Sequence, residues 1–144
     1  MNLYLDTSVL VKLYVSEDGS DLVRTAIGNA RLVATSLVAY VEARVAFARR
    51  RRERGLQATD HRRIVRNLDT DWPHFLRLEI LEALIRSAAR IAESHGLRAY
   101  DAVHLASAVT LRERLAAPVT FGCWDSKLES QARRVGLDIL PHCV

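Results

Sequence analysis

Four acidic residues of this 144-residue chain stand where a carboxylate is either costly or well placed for chemistry. Asp6 closes the short alternating segment 2–5, and Asp125 follows shortly after the run Val119-Thr120-Phe121. In an open parallel sheet, ligands collect at the carboxyl ends of strands, near the point where strand order reverses. If both segments are parallel strands, these two acids face one edge. Glu42 is unusual for another reason. It sits among Val38, Val41 and Val45, the expected apolar stripe of a long helix, where an unpaired carboxylate costs several kcal/mol. Asp101 opens an Ala-rich helix whose same-face neighbours include Leu105 and Ala108.

Taken singly, each acid has a structural reading. A helix N-terminus stabilises Asp101 through the backbone dipole, and an ion pair with an arginine accounts for Glu42. Taken together they pose an electrostatic problem. Converging carboxylates repel by about 4 kcal/mol per close pair at an effective dielectric near 20. A hard divalent cation, Mg²⁺ or Mn²⁺, removes that repulsion, prefers oxygen ligands and retains waters. Such an ion acidifies bound water and stabilises charge developing on a phosphoryl group. No His/Cys cluster of zinc spacing competes with this reading.

Other residues carry less. Ser8, two positions after Asp6, can orient the carboxylate or cap the helix that follows, and the two roles are compatible. His104, one turn after Asp101, is a candidate general base, against which stands the commoner helix-packed histidine. Arg49-Arg50-Arg51-Arg52, with Arg54, Arg62, Arg63 and Arg66, is the densest basic patch. It reads either as a solvated helix end or as a phosphate-tracking surface. Trp72 and Trp124 have no periodic company and read as core or rim residues, with base stacking by Trp124 the weaker alternative.

The elements that must position these residues follow from the pattern. Strands are expected at 2–5, 31–34, 74–80, 118–121 and 137–140. Between them lie helical segments at 8–15, 20–27, 36–55, from Thr59 or Asp60 to before Pro73, 81–95, 100–115, and from Ser126 to Gly136. Ser36 is the expected cap of the third helix, and Ser126-Lys127-Leu128-Glu129 reads as a capping box for the last. Strands alternating with helices call for a mostly parallel sheet covered on both faces, an α/β fold. No repeat, low-complexity segment or second domain interrupts residues 1–144, so one domain is expected.

Composition sets the outer limits. Charged residues make up 26% and apolar residues 49%, ordinary for a globular chain. Apolar runs fall far short of the roughly 20 residues a membrane-spanning helix needs. With no signal segment at the N-terminus, the expectation is a cytoplasmic protein. Cys123 and Cys143 make no disulfide framework and read as free thiols. The net charge of +4 favours polyanions. Of the 21 basic residues only Lys12 and Lys127 are lysine, a skew that reflects genome composition as readily as phosphate recognition.

With these residues in view, "YLDTSVLVKLY" at 4–14 resembles the opening of PIN domains, particularly of VapC-type toxins from bacterial toxin–antitoxin pairs. "SLVAYVEARVAFAR" resembles the family's second motif, with Glu42 as its acid. "LRAYDAVHLASA" is similar to the third, with Asp101, and is the most specific. "VTFGCWDSKLESQARRVGL" is similar to the fourth, with Asp125. The likeness spans essentially the whole chain, with a looser stretch between Gly55 and Leu81. It implies a three-layer α/β/α sandwich and a Mg²⁺- or Mn²⁺-dependent endoribonuclease. It also implies a VapB-type antitoxin that blocks the site, and a homodimer. Asp6, Glu42, Asp101 and Asp125 match the acidic quartet, and Ser8 matches the small polar position after the first acid. Two rival readings remain at this point: a phosphohydrolase of small phosphate esters, which commonly wants Asp-x-Asp where this chain has Asp6-Thr7-Ser8, and a non-catalytic RNA-binding domain.

Overall fold

The computed structural model describes residues 1–141; Cys143 lies outside them. In chain order the elements are β1 (Asn2–Leu5), α1 (Thr7–Tyr14), α2 (Ser20–Asn29), β2 (Leu32–Ser36), α3 (Val38–Arg54) and α4 (Ala58–Asp71). A 3-10 turn at Trp72–His74 leads to β3 (Leu76–Leu78), α5 (Glu82–His95), α6 (Ala99–Leu115), β4 (Val119–Gly122), α7 (Ser126–Arg134) and β5 (Asp138–Ile139). The strands form one sheet in the order β3-β2-β1-β4-β5, and every pairing is parallel. The chain moves outward from β1 through β2 to β3, then returns to the other side of β1 for β4 and β5. Strand order therefore reverses between β1 and β4, and the crevice opens there.

Alternation along β1 explains the layers. Leu3 and Leu5 are fully buried on one face, packed with Val9, Leu10, Val23, Ala43, Phe47 and Leu68 of the first four helices. Tyr4 points to the other face and joins Leu105, Leu111, Phe121 and Leu128. Strands buried on both faces are what a parallel sheet requires, and three-layer α/β/α is the result. Leu84, Ala88, Ala102 and Val103 form a smaller cluster that fastens α5 to α6.

Several local expectations are corrected. The third strand is shorter than 74–80, because Trp72-Pro73-His74 continues out of α4 as a 3-10 turn. The cap of α4 is Gln57, with Thr59 and Asp60 already inside the helix. Asp6, and not Ser8, caps α1, accepting from the Val9 amide at 3.1 Å. Asp125 caps α7, accepting from Leu128 N–H at 3.0 Å, which leaves Ser126 as the first helical residue. Leu37 stands at the cap position of α3, while the Ser36 hydroxyl accepts from Val38 N–H two residues on.

The largest correction concerns the face of α3. Val41 and Val45 are about half exposed, and the buried residues are Ala39, Ala43 and Phe47, spaced four apart. Small Ala side chains let α3 approach α1 closely, and that approach turns the bulkier valines outward. Glu42 lies at the boundary of the buried stripe and not within it.

Candidate active site

Asp6 and Asp125 flank the crevice. Asp6 directly follows β1, and its N–H donates to the carbonyl of Gly122 at the end of β4, 3.0 Å away. Asp125 stands three residues beyond Gly122 and is exposed. The two strand ends are tied again through Ser8, whose Oγ donates to Asp6 Oδ1 at 2.6 Å and accepts from Trp124 N–H at 3.2 Å. The Trp124 ring is held in turn: Lys12 Nζ lies 4.6 Å from its centroid. At Gly19, with φ +89, any Cβ would come within 2.5 Å of the ring. That turn accepts only glycine, for its backbone and for the tryptophan against it. Lys12 is itself buried and pairs with Glu17, which also pairs with Arg50.

Glu42 reaches the same region from α3. Its Oε1 accepts from Thr7 Oγ1 at 2.7 Å and lies 2.8 Å from His104 Nε2. The expected arginine partner is thus replaced by a threonine and a histidine. Burial raises the Glu42 pKa, but these two hydrogen bonds, together with the charges of His104 and Arg98, outweigh it and hold the carboxyl below the usual glutamate range. His104 is 2% exposed and closes a buried chain, with Nδ1 2.8 Å from the Tyr4 hydroxyl. Asp101, in the first turn of α6, accepts from Arg98 Nε at 2.9 Å. Arg98 stands at the cap position of that helix, and its charge is felt by Asp125 and Glu42 as well as Asp101. Asp6 behaves differently. Burial pushes its pKa up; His104 and the hydrogen bonds from Ser8 and Val9 offset part of that, and the nearby Asp101 charge adds to it.

One regularity unites the four acids. Each commits one oxygen: Asp6 Oδ1, Glu42 Oε1, Asp101 Oδ2 and Asp125 Oδ1. Among the described residues the second oxygen of each accepts no hydrogen bond. No three of these side chains stand close enough together to enclose an ion directly among the described residues. The donor set nonetheless fits a hard divalent cation. It is all oxygen, spare acceptors are available, and Mg²⁺ commonly takes one or two carboxylates directly and reaches others through retained water.

Two hollows flank the acids. One, of about 160 Å³, is lined by Arg98, Asp101, Asp125 and Lys127; the other, of about 330 Å³, by Thr7, Glu42, Val45, Arg49 and Tyr100. A wider cleft, about 620 Å³, lies between α3 and α4 and is lined by Arg44, Arg62 and Arg66 with no acid of the quartet. The smaller hollows are lined by Asp101, Asp125 and Glu42, and the arginine-lined cleft by none of the four acids.

Sequence reasoning does not single out Thr7 or Arg98, and it sets His104 aside. A signal for His104 is present: an imidazole inside the buried run Ala102 to Ala108 must find polar partners. Thr7 carries no such mark, because a threonine in a first helical turn is ordinary.

Comparison with known proteins gives this geometry a family. The sequence profile of the PIN domain matches residues 3–118. The chain is 30% identical over 139 residues to Ribonuclease VapC45 of Mycobacterium tuberculosis, covering 96% of this chain and 94% of that protein. Among solved structures, FitAcB from Neisseria gonorrhoeae superposes with a TM-score of 0.68 at 19% identity, covering 95% of each chain. A toxin-antitoxin complex from Klebsiella pneumoniae gives 0.57 at 14% identity, covering 83% of this chain and 84% of that one. A profile match over most of the length, with a relative similar from end to end, identifies the chain as a member of the PIN-domain family, within its VapC group.

Proposed function

We propose that this protein is a divalent-metal-dependent endoribonuclease and the toxin of a toxin–antitoxin pair. The observation that carries the reading is the set of four carboxylates around the β1/β4 crevice, each with one oxygen fixed and one unengaged. The name of the Mycobacterium tuberculosis relative supports RNA as the substrate. The Klebsiella pneumoniae complex supports an antitoxin partner, of VapB type for a chain of the VapC group. Asp6, Glu42, Asp101 and Asp125 would hold Mg²⁺ or Mn²⁺, some of them through water. A cation bound there acidifies water and neutralises charge on the phosphodiester.

The chain's own residues do the rest. Ser8 keeps Asp6 in one rotamer and couples it to the β4 end of the crevice through Trp124 N–H. Arg98 is mostly exposed beside Asp101, and its planar fork suits a phosphate oxygen. Action in the cytoplasm belongs to the same reading; no helix among the described residues is long and apolar enough to cross a membrane. A homodimer is also part of it. Leu37, Leu81 and Ile85 are exposed large apolar side chains near the carboxyl end of the edge strand β3, where Leu37 N–H donates to the Leu78 carbonyl, and a second copy of the chain would cover them.

The test is RNA cleavage in Mg²⁺ or Mn²⁺ by wild type, Asp6→Ala and Asp101→Ala. Wild type is expected to cut internally. Each variant is expected to lose on the order of 10²-fold or more, the scale of removing one electrostatic stabiliser. Wild-type activity in either variant would overturn the assignment.

A further inference from the structure

The buried histidine of α6 has a use that none of the four acids explains. Polar groups in a close-packed interior are retained at a cost unless each is satisfied, and His104, 2% exposed, is satisfied on both ring nitrogens. Its Nε2 lies 2.8 Å from Glu42 Oε1 and 3.1 Å from Thr7 Oγ1; its Nδ1 lies 2.8 Å from the Tyr4 hydroxyl. These contacts constrain the protons. Thr7 spends its single O–H on Glu42 Oε1. A carboxylate only accepts, so the 2.8 Å contact with His104 requires a proton on Nε2. In the neutral ring Nδ1 is then the acceptor for the Tyr4 hydroxyl. Tyr4 is fully buried in β1, stacked on Phe121 with ring centroids 5.6 Å apart, so the origin of the chain is part of the sheet itself.

We propose that His104 is a positioning residue for Glu42: backed by Tyr4 and joined by Thr7, it anchors Oε1 and thereby presents Oε2 to the cation. The inference rests on the metal-dependent reading of the site. It excludes His104 as the general base, since neither nitrogen keeps a free lone pair facing the crevice. The arrangement has the form of an outer-shell partner that orients a ligand, and loss of such a partner typically costs about 10–100-fold in metal affinity or activity. It also accounts for a helix-borne acid at the edge of a buried face. Glu42 hangs from a hydrogen-bonded chain anchored in the core and needs no arginine.

The experiment is calorimetric titration of Mn²⁺ into wild type, His104→Gln, His104→Asn, Tyr4→Phe and Asp6→Asn, with thermal melts and a separation of kcat from KM for RNA. Glutamine offers an amide N–H near the place of Nε2, whereas asparagine is too short to reach Glu42. His104→Asn is expected to weaken Mn²⁺ binding by at least about tenfold and to lower kcat with KM little changed. His104→Gln is expected to recover most of the binding. Tyr4→Phe is expected to weaken it severalfold, and it serves as the deciding variant should both substitutions of His104 fail to fold. If His104→Asn or Tyr4→Phe binds Mn²⁺ like wild type while Asp6→Asn loses it, the positioning role is overturned and the metal site stands. Wild-type binding by Asp6→Asn would overturn the underlying reading.

Discussion

At the scale of single residues, the site is built against the stability of the fold. Asp6 is 5% exposed, and burial raises its pKa above the ordinary 3.8. A carboxyl whose folded-state pKa is raised contributes its full stability below the unfolded value and loses it as pH rises through the folded one. At neutral pH, without metal, the charged Asp6 therefore weakens the folded state. Asp6→Asn keeps an acceptor for Ser8 and Val9 and removes the charge. Its melting temperature in chelator at pH 7 should exceed that of wild type by a few degrees, roughly the effect of 1 kcal/mol in a chain of this length. The gain should vanish below pH ~3, where the wild-type carboxyl is protonated in both states. A variant less stable than wild type at pH 7 would contradict this account. Of the acids, the positions of Asp6 and Asp125 at strand ends are legible in the sequence, because a short apolar run ends just before each. Their contacts are not, since which oxygen Ser8 or Arg98 takes depends on rotamers that sequence spacing does not encode.

At the scale of elements, legibility follows the strength of the periodic signal. The five strands and the alternation of layers are readable because short alternating or apolar runs separate the helical ones. Apolarity alone misreads the face of α3, because Val outranks Ala in hydrophobicity. Close helix approach selects Ala39 and Ala43 instead, and the displaced valines remain half exposed. Those valines line the hollow beside Glu42, and the dimer surface proposed above is a separate one, Leu37, Leu81 and Ile85 beside the edge strand. Ile85→Asp should leave the fold of each copy intact, because within one chain the side chain already faces solvent. It should convert a dimer into a monomer in sedimentation velocity at micromolar concentration. A wild-type protein that sediments as a monomer would remove the dimer from this reading.

At the scale of the whole molecule, the topology gathers the site. Acids as far apart in sequence as Asp6 and Asp125 are drawn to one edge because β1 lies between β2 and β4 with every strand parallel. α3 and α6 then add Glu42 and Asp101 from opposite sides of the sheet. The buried chain from Tyr4 through His104 to Glu42 links those two helix layers across it. The stretch between Gly55 and Leu81, which carries α4 and the short edge strand, supplies none of the acids. This agrees with its being the part of the sequence with the loosest family likeness. The arginine-lined cleft between α3 and α4 lies beside that stretch, apart from the quartet. The most direct test of a shared site is Mn²⁺ titration of four single variants, Asp6→Asn, Glu42→Gln, Asp101→Asn and Asp125→Asn. If the acids serve one ion, each substitution weakens the same binding event, by about tenfold or more for any direct ligand. Binding that survives unchanged in all four would contradict the account.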